Sequence, residues 1–248
     1  MKVALVTGGS RRLGLEFAKA LAGAGYSIAL HYRSDADAAR HAVDVLRKEK
    51  GTRAEAFWAD LTVDGAPLKL FKEVFASSLF PSSSPPRLDA LVHAASPWNP
   101  KPFSEVTLDD WEAAFRVGPR AAFFLAQAAA PALAQASGSI LFVSDIAATQ
   151  AWPSQVPHAA AKAAINALVR NLAAALGPKV RVNAIAPGIV LPPAEMSAGA
   201  VAALVAKTPL ARRVDVLDLT AMAIAVLENR SMTGQVVAVD AGRSTREE

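Results

Sequence analysis

No cysteine occurs in the 248 residues, which excludes disulfides, thiolate nucleophiles and Cys-ligated metal. Tyrosine is almost as scarce: Tyr26 and Tyr32 are the only two, so any chemistry placed later in the chain must work without a tyrosine from its own segment. Charged residues make up only 19%, and the formal net charge of +4 is spread along the chain with no basic cluster interleaved with aromatics, so nucleic acid is not an expected partner. Long apolar runs are missing too. The stretch Val3 to Val6 is short for a signal peptide, and Gln127 and Pro131 interrupt the longest run before it reaches membrane length. These absences predict a cytoplasmic protein with no membrane contact and no metal. What is plentiful is hydrophobic residues, 52%, enough to bury the core of one domain spanning 1–248.

Apolar runs at Val3 to Val6, Ser27 to Tyr32, Ala54 to Trp58, Leu88 to Ala95, Ser139 to Ser144, Val180 to Ile185 and Val236 to Val239 predict seven buried strands. Helical patterns separate most of them. The first ends at Gly23-Ala24-Gly25 and the second runs from Ser34 toward Lys50 before Gly51, each stop suiting a glycine C-cap. Strands without polar alternation, joined by helical crossovers, predict an α/β fold: a Rossmann-type, doubly wound parallel sheet with helices on both faces. Ligands of such a sheet bind at the carboxyl ends of its strands. Ser77 to Pro86, rich in Ser and Pro, reads as a surface loop.

The residues after each strand therefore carry the functional argument. Thr7 to Gly14 lies between the first strand and the first helix, and a glycine-rich turn in that context cradles phosphate: Gly8 and Gly9 admit it to the backbone, the helix opening at Leu13 aims N–H groups at it, and Gly14 lets the helix pack on the sheet. Gly8, Ser10, Arg11, Arg12, Leu13 and Gly14 are the candidate contacts. After the second strand, Tyr32-Arg33-Ser34 offers a cation and a hydroxyl where an acidic residue would select NAD, and Arg12 adds a second cation, which favours NADP(H) over solvated surface arginines. Asp60-Leu61 ends the third strand, where the carboxylate either accepts from an adenine amino group or caps the next helix. Ala94-Ala95-Ser96 ends the fourth with small residues that let a cofactor lie close, and Ser144-Asp145 ends the fifth.

To these are added Leu91 to Ser96, His158 and Lys162, Arg181-Val182-Asn183 with Ala186-Pro187-Gly188, and Thr233-Gly234-Gln235 with Asp240. In these pieces, from about Val3 to Gly242, the chain resembles the short-chain dehydrogenase/reductase family. Within it the chain is most similar to NADPH-dependent pteridine and dihydromonapterin reductases. They share an arginine at the place of Arg12, a run like Tyr32-Arg33-Ser34, Ala-Ser at Ala95-Ser96, and an aspartate in place of the catalytic serine, here Asp145. The resemblance implies NADP(H) as cofactor, with Lys162, Pro187, Gly188 and Ile189 among its contacts. It further implies hydride transfer from nicotinamide C4 to a C=O or C=N of a pterin-like or other small planar substrate.

Three positions depart from the family pattern. His158 stands where the family has its proton-donating tyrosine, Gly118 where it has a helical asparagine, and Ala94 where an asparagine is common. Lys162 is retained, one helical turn after His158 and on the same face. An imidazole with a reference pKa near 6.5 is a competent acid at neutral pH, yet it is shorter than a phenol, so the substrate must sit deeper or take its proton through water. A Lys162 ammonium and the Asp145 carboxylate would bias the imidazole in opposite directions, and His158 also reads as a polar helix-start residue after Pro157. Asp145 either positions substrate or caps the strand end. A one-residue shift in the bend would make Ser144 the substrate hydroxyl. His93 and His31 read as structural, His41 as solvent-facing. The segment from Ile189 to about Arg213 has the composition of a lid, and Trp98, Trp152 and Met196, with Ser96, are candidate substrate contacts, although either tryptophan also reads as a loop anchor.

Two other functions stand beside the leading one: a family member that has lost catalysis and binds NADP(H) as sensor, scaffold or partner subunit, and a reductase of an unrelated ketone. The resemblance implies a homotetramer, or a homodimer. The alanine-rich helix from about Ala159 to Leu176, with Leu168, Val169 and Leu172, is the surface expected to meet a symmetry mate.

Overall fold

The structure is a computed structural model and describes residues 2–80 and 86–245. Seven strands, β1 (Lys2–Thr7), β2 (Tyr26–Tyr32), β3 (Ala54–Trp58), β4 (Ala90–His93), β5 (Ser139–Val143), β6 (Arg181–Pro187) and β7 (Val236–Val239), form one sheet in the order β3-β2-β1-β4-β5-β6-β7. Every pairing is parallel. Eight α-helices connect the strands: α1 (Arg12–Gly23), α2 (Ala36–Lys50), α3 (Ala66–Phe75), α4 (Leu108–Phe115), α5 (Ala121–Ala136), α6 (Val156–Leu176), α7 (Ala198–Ala206) and α8 (Val216–Glu228).

Two cores result, one on each face, because successive strand residues point to opposite sides. Leu5 and Leu91 join α3, α5 and α6 in one core, whereas Ala4, Val6, Ala90 and Val92 join α1, α2 and α8 in the other. A strand buried on both faces has no polar side to present, which is why its sequence lacks alternation.

Local chemistry sets most helix ends. Asp35 caps α2 by accepting from the Ala38 N–H, and Gly51 ends it in the left-handed conformation. A reciprocal capping box of Thr107 and Asp110 starts α4. Between α4 and α5 the chain makes a π-type turn at Arg116–Arg120, with Gly118 at ψ −110 and Pro119 after it. α1, like α3, α5 and α6, starts without a side-chain cap or an acidic residue in its first turn.

The element bounds differ from expectation in identifiable ways. β4 is shorter than Leu88 to Ala95, because the Leu88 N–H is taken by the Ala132 carbonyl before the strand begins. β5 ends at Val143, so Ser144 and Asp145 both fall in the bend. α6 opens at Val156, with Pro157 in its first turn, so His158 sits inside the helix and not ahead of it. Ser77 turns at the end of α3, its hydroxyl bonded to the Val74 carbonyl, while residues 81–85 of the expected loop lie outside the described residues. The apolar residues of α6 require a correction. Val169 and Leu172 are buried in the chain's own core and Leu168 packs on it, so they give no reason for a partner. No helix among the described residues is long and apolar enough to cross a membrane.

Candidate active site

The strand order turns back between β1 and β4, and a crevice opens outside the carboxyl ends of these two strands. The glycine turn fills its floor. Gly8 has φ +64, and a Cβ on Gly14 would lie 2.0 Å from the Gly8 carbonyl oxygen, so α1 approaches the turn as closely as only glycine permits. The uncapped start of α1 leaves its N–H groups free for an anion. The turn therefore suits a dinucleotide pyrophosphate. Ser10 and Leu13 are half-buried along it, with Arg11 exposed.

Two buried histidines hold this turn. His31 Nε2 meets the Ala59 carbonyl at 3.0 Å, and because a carbonyl only accepts, Nε2 carries the proton and Nδ1 accepts from the Gly8 N–H at 3.2 Å. His93 repeats the logic: Nε2 donates to the Val117 carbonyl (3.0 Å) and Nδ1 accepts from the Thr7 hydroxyl (2.8 Å), which in turn accepts from the Ala95 N–H (3.3 Å). Burial pushes His31 down to about 4. Burial, with the Lys162 charge adding to it, pushes His93 to about 3. Both rings are neutral at physiological pH. The His93 chain ties Ala94 and Ala95 over the turn, where a Cβ on Gly8 would come 2.9 Å from the Ala95 Cα.

At the end of β2, Tyr32 is half-buried and Arg33 and Ser34 are exposed. Arg12 does not join them. Its Nη2 donates to the Leu191 carbonyl at 2.5 Å, so the two cations diverge and Arg33 alone stands at the expected ribose position. Trp58, unremarked in the sequence, is 55% exposed and donates its indole N–H to the Arg33 carbonyl at 2.7 Å. It faces Tyr32 across β2 and β3, a register that only the folded sheet shows. Asp60 Oδ1 accepts from the Thr62 N–H (2.9 Å) and hydroxyl (2.7 Å) in a local turn; it does not cap the next helix, α3, whose N-cap is Gly65. Burial raises its pKa, but these bonds and the Arg33 charge outweigh that and hold it low. Leu61 is a core residue.

Around β5 and α6 the structure brings Asp145, His158 and Lys162 together. His158 Nε2 lies 3.2 Å from Asp145 Oδ2, while Asp145 Oδ1 accepts from the Ala147 N–H at 2.8 Å. Asp145 thus both caps its bend and holds the imidazole. Lys162, 5% exposed, donates to the Val143 carbonyl at 2.6 Å, and burial pushes its pKa down to about 8 against the opposing pull of Asp145. Ser144 is turned elsewhere. It is buried and its hydroxyl donates to Asn166 Oδ1 at 2.6 Å on α6, which commits it to the core. Trp98 packs edge-on against the His158 ring with centroids 5.2 Å apart, next to the exposed Ser96. Trp152 stands in the turn before α6 and Met196 in the segment after β6, each half-buried. That segment leaves β6 through Pro187, Gly188 and Ile189. A Cβ on Gly188 would meet Asp240 at 2.8 Å, which fixes the exit of the chain.

A doubly wound sheet with a glycine turn at its reversal point, and a lysine buried beside the next strand end, defines a nucleotide-fold oxidoreductase class. A family profile described as enoyl-(acyl carrier protein) reductase matches residues 9–244. The chain belongs to the short-chain dehydrogenase/reductase family. A hydroxynaphthalene reductase-like protein, Arp2, from Metarhizium anisopliae is 36% identical over 189 residues, covering 75% of this chain and 67% of that protein. A 7alpha-hydroxysteroid dehydrogenase from Escherichia coli is 35% identical over 192 residues, 77% of this chain and 71% of that one. Among solved structures, FolM alternative dihydrofolate reductase 1 from Brucella canis, complexed with NADP, superposes with a TM-score of 0.87 at 29% identity, covering 100% and 96% of the two chains.

Proposed function

We propose that this chain is an NADP(H)-dependent reductase of a small, flat carbonyl or imine substrate of the pterin kind, with Lys162, His158 and Asp145 as its working side chains. The observation that carries the reading is the juxtaposition of a buried lysine and a carboxylate-held histidine on one face of α6, at the strand ends beside the glycine turn. A reduced nicotinamide dinucleotide bound there supplies the hydride. Ser10, Arg11, Leu13 and Gly14 would hold its pyrophosphate where Gly8 leaves room for it, Arg33 and Ser34 its 2′-phosphate, and Lys162 the nicotinamide ribose, with Ala94, Ala95, Pro187, Gly188 and Ile189 as the adjoining walls.

The chain's own residues handle charge and proton. The Lys162 ammonium, desolvated but still protonated below pH of about 8, places positive charge at the strand ends where negative charge builds on a reduced oxygen or nitrogen. Asp145 accepts the Nε2 proton of His158, so Nδ1 is the nitrogen that delivers a proton when the ring is imidazolium. Trp98, partly exposed beside that ring, offers a flat surface for the substrate. Two of the three relatives' names support a flat fused ring, dihydrofolate in one and hydroxynaphthalene in another, while the third names a hydroxysteroid, fused but not flat. Exposed Trp111, Phe123 and Phe124 on α4 and α5 support a homo-oligomer.

The test is NADPH oxidation by the purified protein with dihydropterins and a panel of ketones, beside an NADPH binding titration. Turnover with a dihydropterin supports the proposal, and turnover confined to another ketone moves the substrate class. Binding without turnover on any substrate replaces it with a non-catalytic NADP(H)-binding role, and absence of binding overturns the cofactor.

A further inference from the structure

The ladder between β2 and the edge strand β3 ends at the pair Tyr32 and Trp58, with the Ala59 N–H on the Tyr32 carbonyl at 3.1 Å. Beyond that pair the chain leaves the sheet for α2. The next carbonyl, that of Arg33, is met by a side chain, the Trp58 indole, whose N–H donates to it at 2.7 Å. Trp58 is 55% exposed, so burial explains little of its presence. Stability explains little either, because water would satisfy both groups at the surface. What remains for the bond to do is fix a direction.

The Arg33 carbonyl belongs to the peptide that joins Arg33 to Ser34. A trans peptide is planar, so holding its oxygen sets ψ of Arg33 and aims the Ser34 N–H the opposite way. On the other side of Ser34 the Asp35 carboxylate accepts from the Ala38 N–H at 2.8 Å and caps α2. Arg33 and Ser34 are therefore strung between two fixed points, one made by the indole and one by the helix cap. The Arg33 charge acts on the Asp60 carboxylate after β3, which places the guanidinium on the side of the strand ends.

Resting on the NADP(H) reading above, we infer that Trp58 is a positioning residue for coenzyme choice: its indole N–H holds the Arg33–Ser34 peptide so that the guanidinium and the Ser34 hydroxyl converge where the 2′-phosphate of the adenosine ribose would sit. Trp58 touches no reacting atom and acts through its neighbour. Orienting an exposed arginine in advance lowers the ordering cost of binding. Only a coenzyme that carries the phosphate gains from this, so the indole raises the preference for NADPH over NADH and leaves the binding of the shared part of the dinucleotide alone.

Isothermal titration of the parent, Trp58→Phe, Arg33→Ala and the double variant with NADPH and with NADH tests this without requiring any activity. The parent should prefer NADPH by about 30-fold or more. Trp58→Phe keeps a flat ring and removes the donor; its NADPH dissociation constant should rise about five- to tenfold, its NADH constant by less than about twofold. Its melting temperature should match the parent's, since the residue is exposed. Arg33→Ala should lose most of the preference, and Trp58→Phe added to it should change the ratio little further, as expected of a residue that acts through another. An unchanged preference in Trp58→Phe overturns the inference, and so does equal weakening of both coenzymes, which would make the indole a general wall of the site. Additive losses in the double variant overturn action through Arg33. A parent that binds NADPH no better than NADH overturns the NADP(H) reading and the inference with it, whereas a preference that survives Trp58→Phe overturns the inference alone.

Discussion

His158 Nε2 and Asp145 Oδ2 stand 3.2 Å apart, one on the first turn of α6 and the other on the bend after β5, so the carboxylate fixes which imidazole nitrogen carries a proton. Asp145→Asn separates the two jobs of this residue, since an amide oxygen still accepts from the Ala147 N–H and keeps the bend. Turnover should fall by about 10- to 100-fold with little change in melting temperature, and His158→Gln should lose about 100-fold or more, the range that a positioned acid contributes. His158→Tyr tests the same site from the other side: a histidine-based enzyme loses rate, whereas a silent protein with an intact pocket gains it. Unchanged rates in Asp145→Asn and His158→Gln would remove both residues from the chemistry.

Lys162 is expected to trade stability for function. Burial holds its pKa near 8, below the 10.5 of the unfolded chain. A base whose folded pKa is depressed penalises the fold below that value, and the penalty fades as pH climbs from about 8 to about 10.5, where the unfolded chain alone still binds the proton. Lys162→Met should therefore be more stable than the parent at pH 7, by about 1–3 kcal/mol in urea denaturation, with the gap closing toward pH 10. The same variant should show no turnover with any substrate accepted by the parent. A less stable Lys162→Met at pH 7 would mean that the Val143 bond outweighs desolvation.

Gly14→Ala offers a steric test of the turn. The added Cβ has the Gly8 carbonyl oxygen at 2.0 Å, a backbone atom that cannot swing aside. The expected result is loss of NADPH binding by isothermal titration together with a melting temperature lowered by several degrees, equivalent to a cost of about 2–3 kcal/mol. Full affinity in the variant would show that α1 can slide along the sheet without disturbing the site.

The sheet was legible because its five inner strands are buried on both faces, and continuous apolar runs between helical patterns have few other interpretations; the edge strands β3 and β7, expected to be buried, are partly exposed because each has a neighbour on one side only. Lys162 and His158 were legible together through the family resemblance, with their i, i+4 spacing placing them on one helix face. Three other features were hidden in tertiary geometry. The direction of Arg12 depends on a carbonyl 179 positions away, and sequence supplied a cation without its target. Ser144 and Asp145 are neighbours, and which one faces the site depends on a strand ending one residue earlier than its apolar run, with Asn166 waiting on α6. Val169 and Leu172 look available to a partner on a helix drawn alone, and only the packed sheet shows that their own chain covers them.

His31 and His93 make the fold acid-sensitive. Both rings are held neutral by carbonyl acceptors and burial, with pKa values of about 4 and about 3 against 6.5 in the unfolded chain. Between these limits the unfolded chain binds protons that the folded chain refuses, so stability falls as pH drops from about 6.5 toward 4. At pH 5 the two histidines together should contribute a slope of about 2–3 kcal/mol per pH unit, seen as a steep loss of urea midpoint that a His31→Gln, His93→Gln variant lacks. If the double variant is too unstable to compare, the parent alone decides the matter. Imidazole carbon shifts in its folded NMR spectrum should stay at neutral values for both rings down to pH 5, and titration of either ring near 6.5 would show that the bonds to Gly8 and Thr7 do not hold the turn as described.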